Sequence, residues 1–216
     1  MAVIFDFDGV LVDSVAPVTA SINAALHDHG LPQRSAAQLR ALIGPPTFSA
    51  FAELLGRSPD DPYLAEVVAT YRTYYEAAYL SATEVFEGVP EMLAELSHHH
   101  PLAVATSKSS DFAQPLLDAL GLAPFFTVVA AADPRTAEDD KSAIVARALA
   151  ALGESGGAMV GDRSFDMAAA RSHGLRPVGV AWGIGTEEEL RAAGAEVIAA
   201  APDQLLALLV PAVGAR

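Results

Sequence analysis

Short apolar runs rich in β-branched residues alternate along this chain with longer stretches of helical period. Ala2 to Phe7, Leu102 to Ala105, Phe126 to Ala130, Ala158 to Val160 and Pro177 to Ala181 predict strands. None of these runs alternates apolar with polar, which is the pattern of strands covered on both faces of a parallel sheet. Helical period over 89–99, 111–121, 141–153 and 164–174 fills the gaps, so the second half reads βαβαβαβ. That order predicts an α/β fold, a doubly wound Rossmann-like parallel sheet with right-handed crossovers.

One segment departs from the alternation. From about Val15 to Ala82 the period is helical and no strand is expected. Leu64, Val67, Val68, Tyr71, Tyr75 and Ala78 fall on one face at 100° per residue, with Arg72 at the edge of that stripe. An insert with its own apolar seam predicts a small helical domain over 15–83. Gly44-Pro45-Pro46 breaks helix inside it, and Gly88-Val89-Pro90 marks the return to a main domain formed by 1–14 and 84–216.

At 216 residues the chain can bury a full core without staples, and its lack of cysteine excludes thiolate metal sites, thiol catalysis and disulfides. No apolar stretch is long enough for a membrane span, and the first strand begins almost at Met1, so a cytoplasmic protein without a leader is expected. The formal charge of −14 argues against nucleic acid as a partner, because that affinity comes from basic side chains on phosphates. A small anionic ligand stays compatible if positive charge is local. Of the thirteen Lys and Arg residues, only Lys108 and Lys141 are lysines, compact point charges in a chain that otherwise uses arginine.

In open parallel sheets ligands bind at the carboxyl ends of the strands. The first strand ends Asp6-Phe7-Asp8-Gly9, the second Thr106-Ser107-Lys108, the fourth Gly161-Asp162 with Asp166 four residues on, and Lys141 opens the helix before that fourth strand. Two carboxylates spaced by two repel when held together, which favours a divalent cation between them or a raised pKa on one. Hard oxygen ligands from Asp6 and Asp162 suit Mg²⁺. Thr106, with Ser107 and the amides that follow, can hold a phosphoryl oxygen, and Lys141 can neutralise another. A carboxylate that attacks phosphorus beside one that handles the proton is a complete phosphoryl-transfer pair.

At these residues the chain resembles the phosphatases of the haloacid dehalogenase superfamily. The matching text is Val3-Ile4-Phe5-Asp6-Phe7-Asp8-Gly9-Val10-Leu11-Val12-Asp13-Ser14, Ala105-Thr106-Ser107-Lys108, Lys141, and Val160-Gly161-Asp162-Arg163-Ser164-Phe165-Asp166. The helical insert stands where that family carries its small cap. The resemblance implies Asp6 as nucleophile through an aspartyl-phosphate and Asp8 as general acid and base. It also implies Mg²⁺ held by Asp6, Asp8 (through its backbone carbonyl) and Asp162, phosphoryl binding by Thr106, Ser107 and Lys141, and a supporting role for Asp166. The family's dehalogenases lack the second aspartate, so Asp8 points to phosphate chemistry. Lys141 is followed by Ser142, where the resemblance implies proline. Gly179 to Leu190, with Ile43-Gly44-Pro45-Pro46, resembles the phosphoglycolate phosphatase-like branch, which includes enzymes acting on nucleoside monophosphates.

The expected partner is therefore a small phosphorylated metabolite, met in the insert by Arg72 and Gly44; Arg34, Arg40 and Arg57 are further candidates for an anionic group on it. Phosphomutase action on a sugar phosphate is the alternative, and a receiver-type phospho-acceptor domain a more distant one. Asp13 and Ser14 read as the cap of the first helix. Lys108 reads equally as a site residue or a solvated charge, and Trp182 as a wall of the site or loop packing. His98-His99-His100 suits a helix C-terminus better than a metal. Monomer and homodimer both stay open.

Overall fold

The computed structural model describes residues 1–133 and 140–210. The expected main domain includes 134–139 and 211–216, which lie outside them. Strand β1 (Ala2–Phe5) is followed by a short strand β2 (Val12–Asp13) and four helices, α1 (Val15–Asp28), α2 (Ala36–Arg40), α3 (Thr47–Leu55) and α4 (Pro62–Ala82). Then come β3 (Glu84–Val85), α5 (Val89–Ser97), β4 (Leu102–Ser109), α6 (Ser110–Ala119), β5 (Val128–Ala132) and α7 (Lys141–Leu152). The chain closes with β6 (Gly157–Gly161), α8 (Ser164–Ser172), β7 (Arg176–Val180), α9 (Glu187–Ala192), β8 (Val197–Ala199) and α10 (Pro202–Leu209).

Among the described residues the main sheet holds six parallel strands in the order β5-β4-β1-β6-β7-β8. Every side chain of β1 is buried, and its two faces divide the core. Val3 and Phe5 join a cluster with Val89, Met92, Leu93 and Leu96 of α5 and Leu116 and Leu117 of α6. Ile4 joins Ile144, Val145 and Ala148 of α7 and Ala169 and Ala170 of α8. Helices on both faces explain the unbroken apolar runs. Because β1 lies between β4 and β6, the order reverses there, and their carboxyl ends form the crevice that such sheets use for ligands.

Three sequence expectations need correction. Strand β1 stops at Phe5 instead of Phe7, because the Phe7 carbonyl accepts from the amides of Val10, Leu11 and Val12 and so closes a turn immediately after Asp6. The second strand runs on to Ser109, with a shift of register against β5 between Thr106 and Ser109. Tyr79, not Ala78, completes the seam of α4. The edge strand β8 and the antiparallel ribbon of β2 with β3 were not expected from the pattern.

Within the insert, α1 packs along α4, which starts at Pro62 with Asp61 as N-cap, its carboxylate accepting from the Tyr63 amide at 2.9 Å. Tyr71 and Tyr75 stack at 5.7 Å between centroids, and Tyr75 and Tyr79 meet the edge of Phe112 on α6 at 5.1 and 5.2 Å. This aromatic ladder seats the insert on the main domain. Arg40 of α2 adds a bond to the Gly183 carbonyl at 2.6 Å, and Arg163 donates back to the Ile43 carbonyl. Among the described residues no helix is long and apolar enough to cross a membrane.

Candidate active site

Asp6 leaves β1 just where the turn begins, its own amide still bonded to the Val160 carbonyl at 2.9 Å. Gly9 makes that turn possible at φ +83°, and a Cβ there would overlap the Asp162 carboxylate. Gly161 and Gly183 are similarly crowded, by Asp166 and by Asp162 with the Gly9 carbonyl. Glycines thus let three backbone segments close around the acids.

Asp6, Asp162 and Asp166 converge, each offering an oxygen within 4.8 Å of the others. Lys141, at the first position of α7, sits among them: its ammonium is 2.7 Å from Asp6, 3.0 Å from Asp166 and 3.1 Å from the Ala105 carbonyl, to which it donates. Among the described residues Asp162 has no cation in contact. Its Oδ2 accepts from the Ile184 amide at 2.6 Å, while its Oδ1 is buried without a partner. The Asp166 Oδ1 is held by Lys141 as an ion pair without a directed hydrogen bond.

These environments shift the acids upward. Burial pushes Asp6 up to about 7, with Lys141 opposing and Asp166 adding to the shift. Burial, reinforced by Asp166 and Asp6, pushes Asp162 up to about 8 against the Ile184 hydrogen bond. For Lys141 burial works against the charge, but the Asp166 and Asp6 carboxylates outweigh it and hold the ammonium above the usual lysine range.

Asp8 points elsewhere. Its Oδ1 accepts from the Ser14 hydroxyl at 2.5 Å and lies 3.2 Å from the Lys108 ammonium. Ser14 does stand at the N-cap of α1, yet its side chain caps no helix amide; Asp13 does that locally, accepting from the Val15 amide at 3.0 Å. Lys108 is almost wholly buried and donates to the Tyr75 hydroxyl at 2.6 Å. Asp8 and the Tyr75 hydroxyl overcome the burial that disfavours the ammonium, so Lys108 also stays above the usual range.

A cavity opens from these groups toward the insert. Asp6, Asp8, Thr106, Ser107 and Lys108 form its floor; Arg72, Gly44, Leu42, Ile43, Phe51 and Tyr71 are among the insert residues that line it. The space within it open to the centres of water molecules measures about 80 Å³, room for several of them. The Thr106 hydroxyl accepts from the Lys108 amide at 3.1 Å, which leaves its own hydrogen free to face the cavity. The helix after this strand opens at Ser110, close to the expected 111, so the amides just after Thr106 belong to β4 and not to a helix N-terminus.

Of the expected residues, Asp6, Asp8, Thr106, Ser107, Arg72 and Gly44 therefore share one cavity, with Asp162, Asp166 and Lys141 clustered around Asp6. Arg34, Arg40 and Arg57 do not line it, and Arg57 pairs with Asp61 at 2.6 Å. Trp182 donates from its indole to the Val10 carbonyl at 3.1 Å and packs its loop. His100 donates from Nε2 to the Leu209 carbonyl at the end of α10, and among the described residues no histidine joins a metal-capable group. Ser14 and Tyr75 are the contributors that spacing did not single out as chemistry.

Comparison with known proteins agrees with this architecture. The family model described as haloacid dehalogenase-like hydrolase matches residues 3–180. A probable phosphatase, IndB, of Dickeya dadantii is 36% identical over 91% of this chain and 87% of its own. A 5′-nucleotidase of Pseudomonas aeruginosa is 32% identical over 88% of this chain and 86% of its own. A predicted phosphatase from Clostridium acetobutylicum superposes with a TM-score of 0.90 at 28% identity, covering 96% of both chains. Proteins named phosphoglycolate phosphatase are among the further relatives.

Proposed function

The chain belongs to the haloacid dehalogenase-like hydrolases, and from that premise we propose that it is a magnesium-dependent phosphohydrolase of a small phosphomonoester, working in the cytoplasm through an aspartyl-phosphate on Asp6. The observation that carries the reading is the opening of Asp6, Asp8 and Thr106 onto one cavity while Lys141 stands 2.7 Å from Asp6. Residues 15–83 are its cap and the remainder its catalytic domain.

The acids suit Mg²⁺. They are hard oxygen donors, and the buried Asp162 Oδ1 has no protein partner. Asp6 and Asp162 would hold the ion with the Asp8 carbonyl, and Asp166 would support Lys141. When bound, the ion offsets the charge of the carboxylates and of the phosphoryl group beside them.

In the first step an Asp6 carboxylate oxygen attacks phosphorus and the bond from phosphorus to the leaving oxygen breaks, with Asp8 giving that oxygen its proton. Thr106 and Ser107 donate to the phosphoryl oxygens, and Lys141 orients Asp6 and favours its ionised form. In the second step Asp8 takes a proton from water as it attacks the aspartyl-phosphate, and inorganic phosphate leaves. The insert excludes bulk water.

Steady phosphate release with Mg²⁺, lost by at least about 10³-fold in Asp6→Asn, is the expected result. Full turnover in that variant would refute Asp6 as nucleophile.

A further inference from the structure

Lys108 belongs to none of the roles just assigned, yet it is the most tightly held side chain beside Asp8. It stands at the carboxyl end of β4, and its exposure is only 6%. Its ammonium makes two polar contacts that come from different parts of the molecule, Asp8 on the first turn at 3.2 Å and the Tyr75 hydroxyl on α4 at 2.6 Å. The Tyr75 ring also lies 4.8 Å from that ammonium, so the charge is held over an aromatic face as well as by a hydroxyl. Tyr75 itself is fixed by its stack on Tyr71 and the edge of Phe112.

Both contacts to Asp8, from Ser14 and from Lys108, fall on Oδ1. That fixes the plane of the carboxyl group and leaves Oδ2 as the oxygen that can exchange a proton with a ligand in the cavity. The Tyr75 hydroxyl holds the lysine from the insert side, so the arrangement is complete only while α4 is seated on the main domain.

We propose that Lys108 and Tyr75 form a positioning clamp on Asp8, which aims Oδ2 at the leaving oxygen and is assembled by closure of the insert. The inference rests on the acid–base role of Asp8 given above. In the step concerned, the bond between phosphorus and the leaving oxygen breaks, the Asp8 proton passes to that oxygen, and the resulting carboxylate stays beside the Lys108 ammonium. A purely structural lysine would also be buried and paired, so the two roles are separated by chemistry and not by loss of activity alone.

The separating quantity is the dependence on leaving group. An alkyl phosphate expels a poor leaving oxygen that needs the proton; p-nitrophenyl phosphate expels a stable phenolate that does not. Comparing kcat/KM confines the measurement to steps up to phosphoenzyme formation, before the shared hydrolysis of the aspartyl-phosphate. For ethyl phosphate, Lys108→Met is expected to lose about 10- to 100-fold and Tyr75→Phe about 5- to 10-fold in kcat/KM. For p-nitrophenyl phosphate both variants should stay within about 2-fold of the parent, and Lys108→Arg should recover part of the loss on ethyl phosphate. Tyr75→Phe keeps the ring and its packing, so it carries the test if the methionine variant does not fold.

Equal losses on the two substrates, or no loss on either, overturn the clamp while leaving the phosphohydrolase reading intact. A parent enzyme that cleaves neither substrate nor any other phosphomonoester overturns that reading, and the clamp with it.

Discussion

Raising the pH without magnesium is expected to loosen this protein, and magnesium is expected to reverse the effect. The perturbation acts on Asp6 and Asp162, whose ionisations rise from 3.8 to about 7 and about 8 in the folded chain, chiefly through burial. Between pH 4 and those values the unfolded chain has released protons that the folded chain retains. The stabilisation is therefore fully present below about pH 4 and is lost as the pH climbs through 7 for Asp6 and 8 for Asp162. For Asp6 alone the displacement corresponds to about 4 kcal/mol, a large part of the about 5–15 kcal/mol that holds a typical domain. In a chain of this size that is on the order of 10 °C in Tm.

A dication among the ionised carboxylates supplies the charge that Lys141 alone does not, so its binding adds stability and releases protons. The assay is thermal unfolding at pH 5, 6, 7 and 8, each with chelator and with saturating Mg²⁺. Taking the difference between the paired melts cancels titrations remote from the site. The Mg²⁺ increment in Tm should grow steadily from pH 5 to pH 8. An increment that is flat or shrinks over this range would refute the reasoning, because it would mean that these acids are already ionised at low pH or do not meet the ion.

Two further substitutions test the walls of the site. Gly183→Ala puts a Cβ into Asp162 and the Gly9 carbonyl; a Mg²⁺ midpoint raised by about 10-fold or more, read by the quenching or enhancement of the single tryptophan at 182, is expected, and an unchanged midpoint would show that Asp162 does not depend on this contact. Arg72→Ala removes a half-buried guanidinium from the cavity wall. It should raise KM about 10-fold for a phosphomonoester with a second anionic group and leave that for p-nitrophenyl phosphate nearly unchanged, whereas equal effects on both would assign Arg72 to the transferring phosphoryl instead.

The sheet was legible because its strands are buried on both faces and so carry continuous apolar text, and because Asp6 and Asp162 directly follow strand ends, while Thr106 is the last residue of β4 before its register shifts. Strand β8 was not, since Val197–Ala199 is only three residues long, too short a run to stand out as a strand. The end of β1 was misjudged because Phe7 reads as strand by side chain while its carbonyl is spent closing the turn at Gly9. Asp166 was visible as a carboxylate but not as an equal member of the acid cluster, which depends on the close approach that Gly161 permits. Ser14 looked like a helix cap, and it occupies the cap position; only the fold of the first turn brings its hydroxyl to Asp8, six residues earlier in the chain. Tyr75 was read as seam, correctly, but spacing within α4 says nothing about a lysine on another element.

The rarity of lysine in this chain acquires a physical account once the charges are grouped by contact. Lys108 faces one carboxylate, Asp8, and with it forms a neutral pair on the side of the insert. Lys141 faces two, Asp6 and Asp166, and Asp162 stands within their cluster with a backbone amide as its only donor among the described residues. With all three acids ionised, that second group holds three negative charges against one positive. The deficit of two cannot be met by more hydrogen bonds from neutral groups at this depth, because buried like charges respond either by taking up protons or by taking up a cation. The upward displacement of Asp6 and Asp162 is the first response; a magnesium ion would be the second, and in the proposed mechanism it is the one that would leave Asp6 a nucleophile near neutral pH. Asp8, kept apart with its own lysine, can then change protonation state without unbalancing the ion's neighbours. In the proposed mechanism, the division of four acids between two lysines is thus what would allow one carboxylate to attack while the next handles the proton.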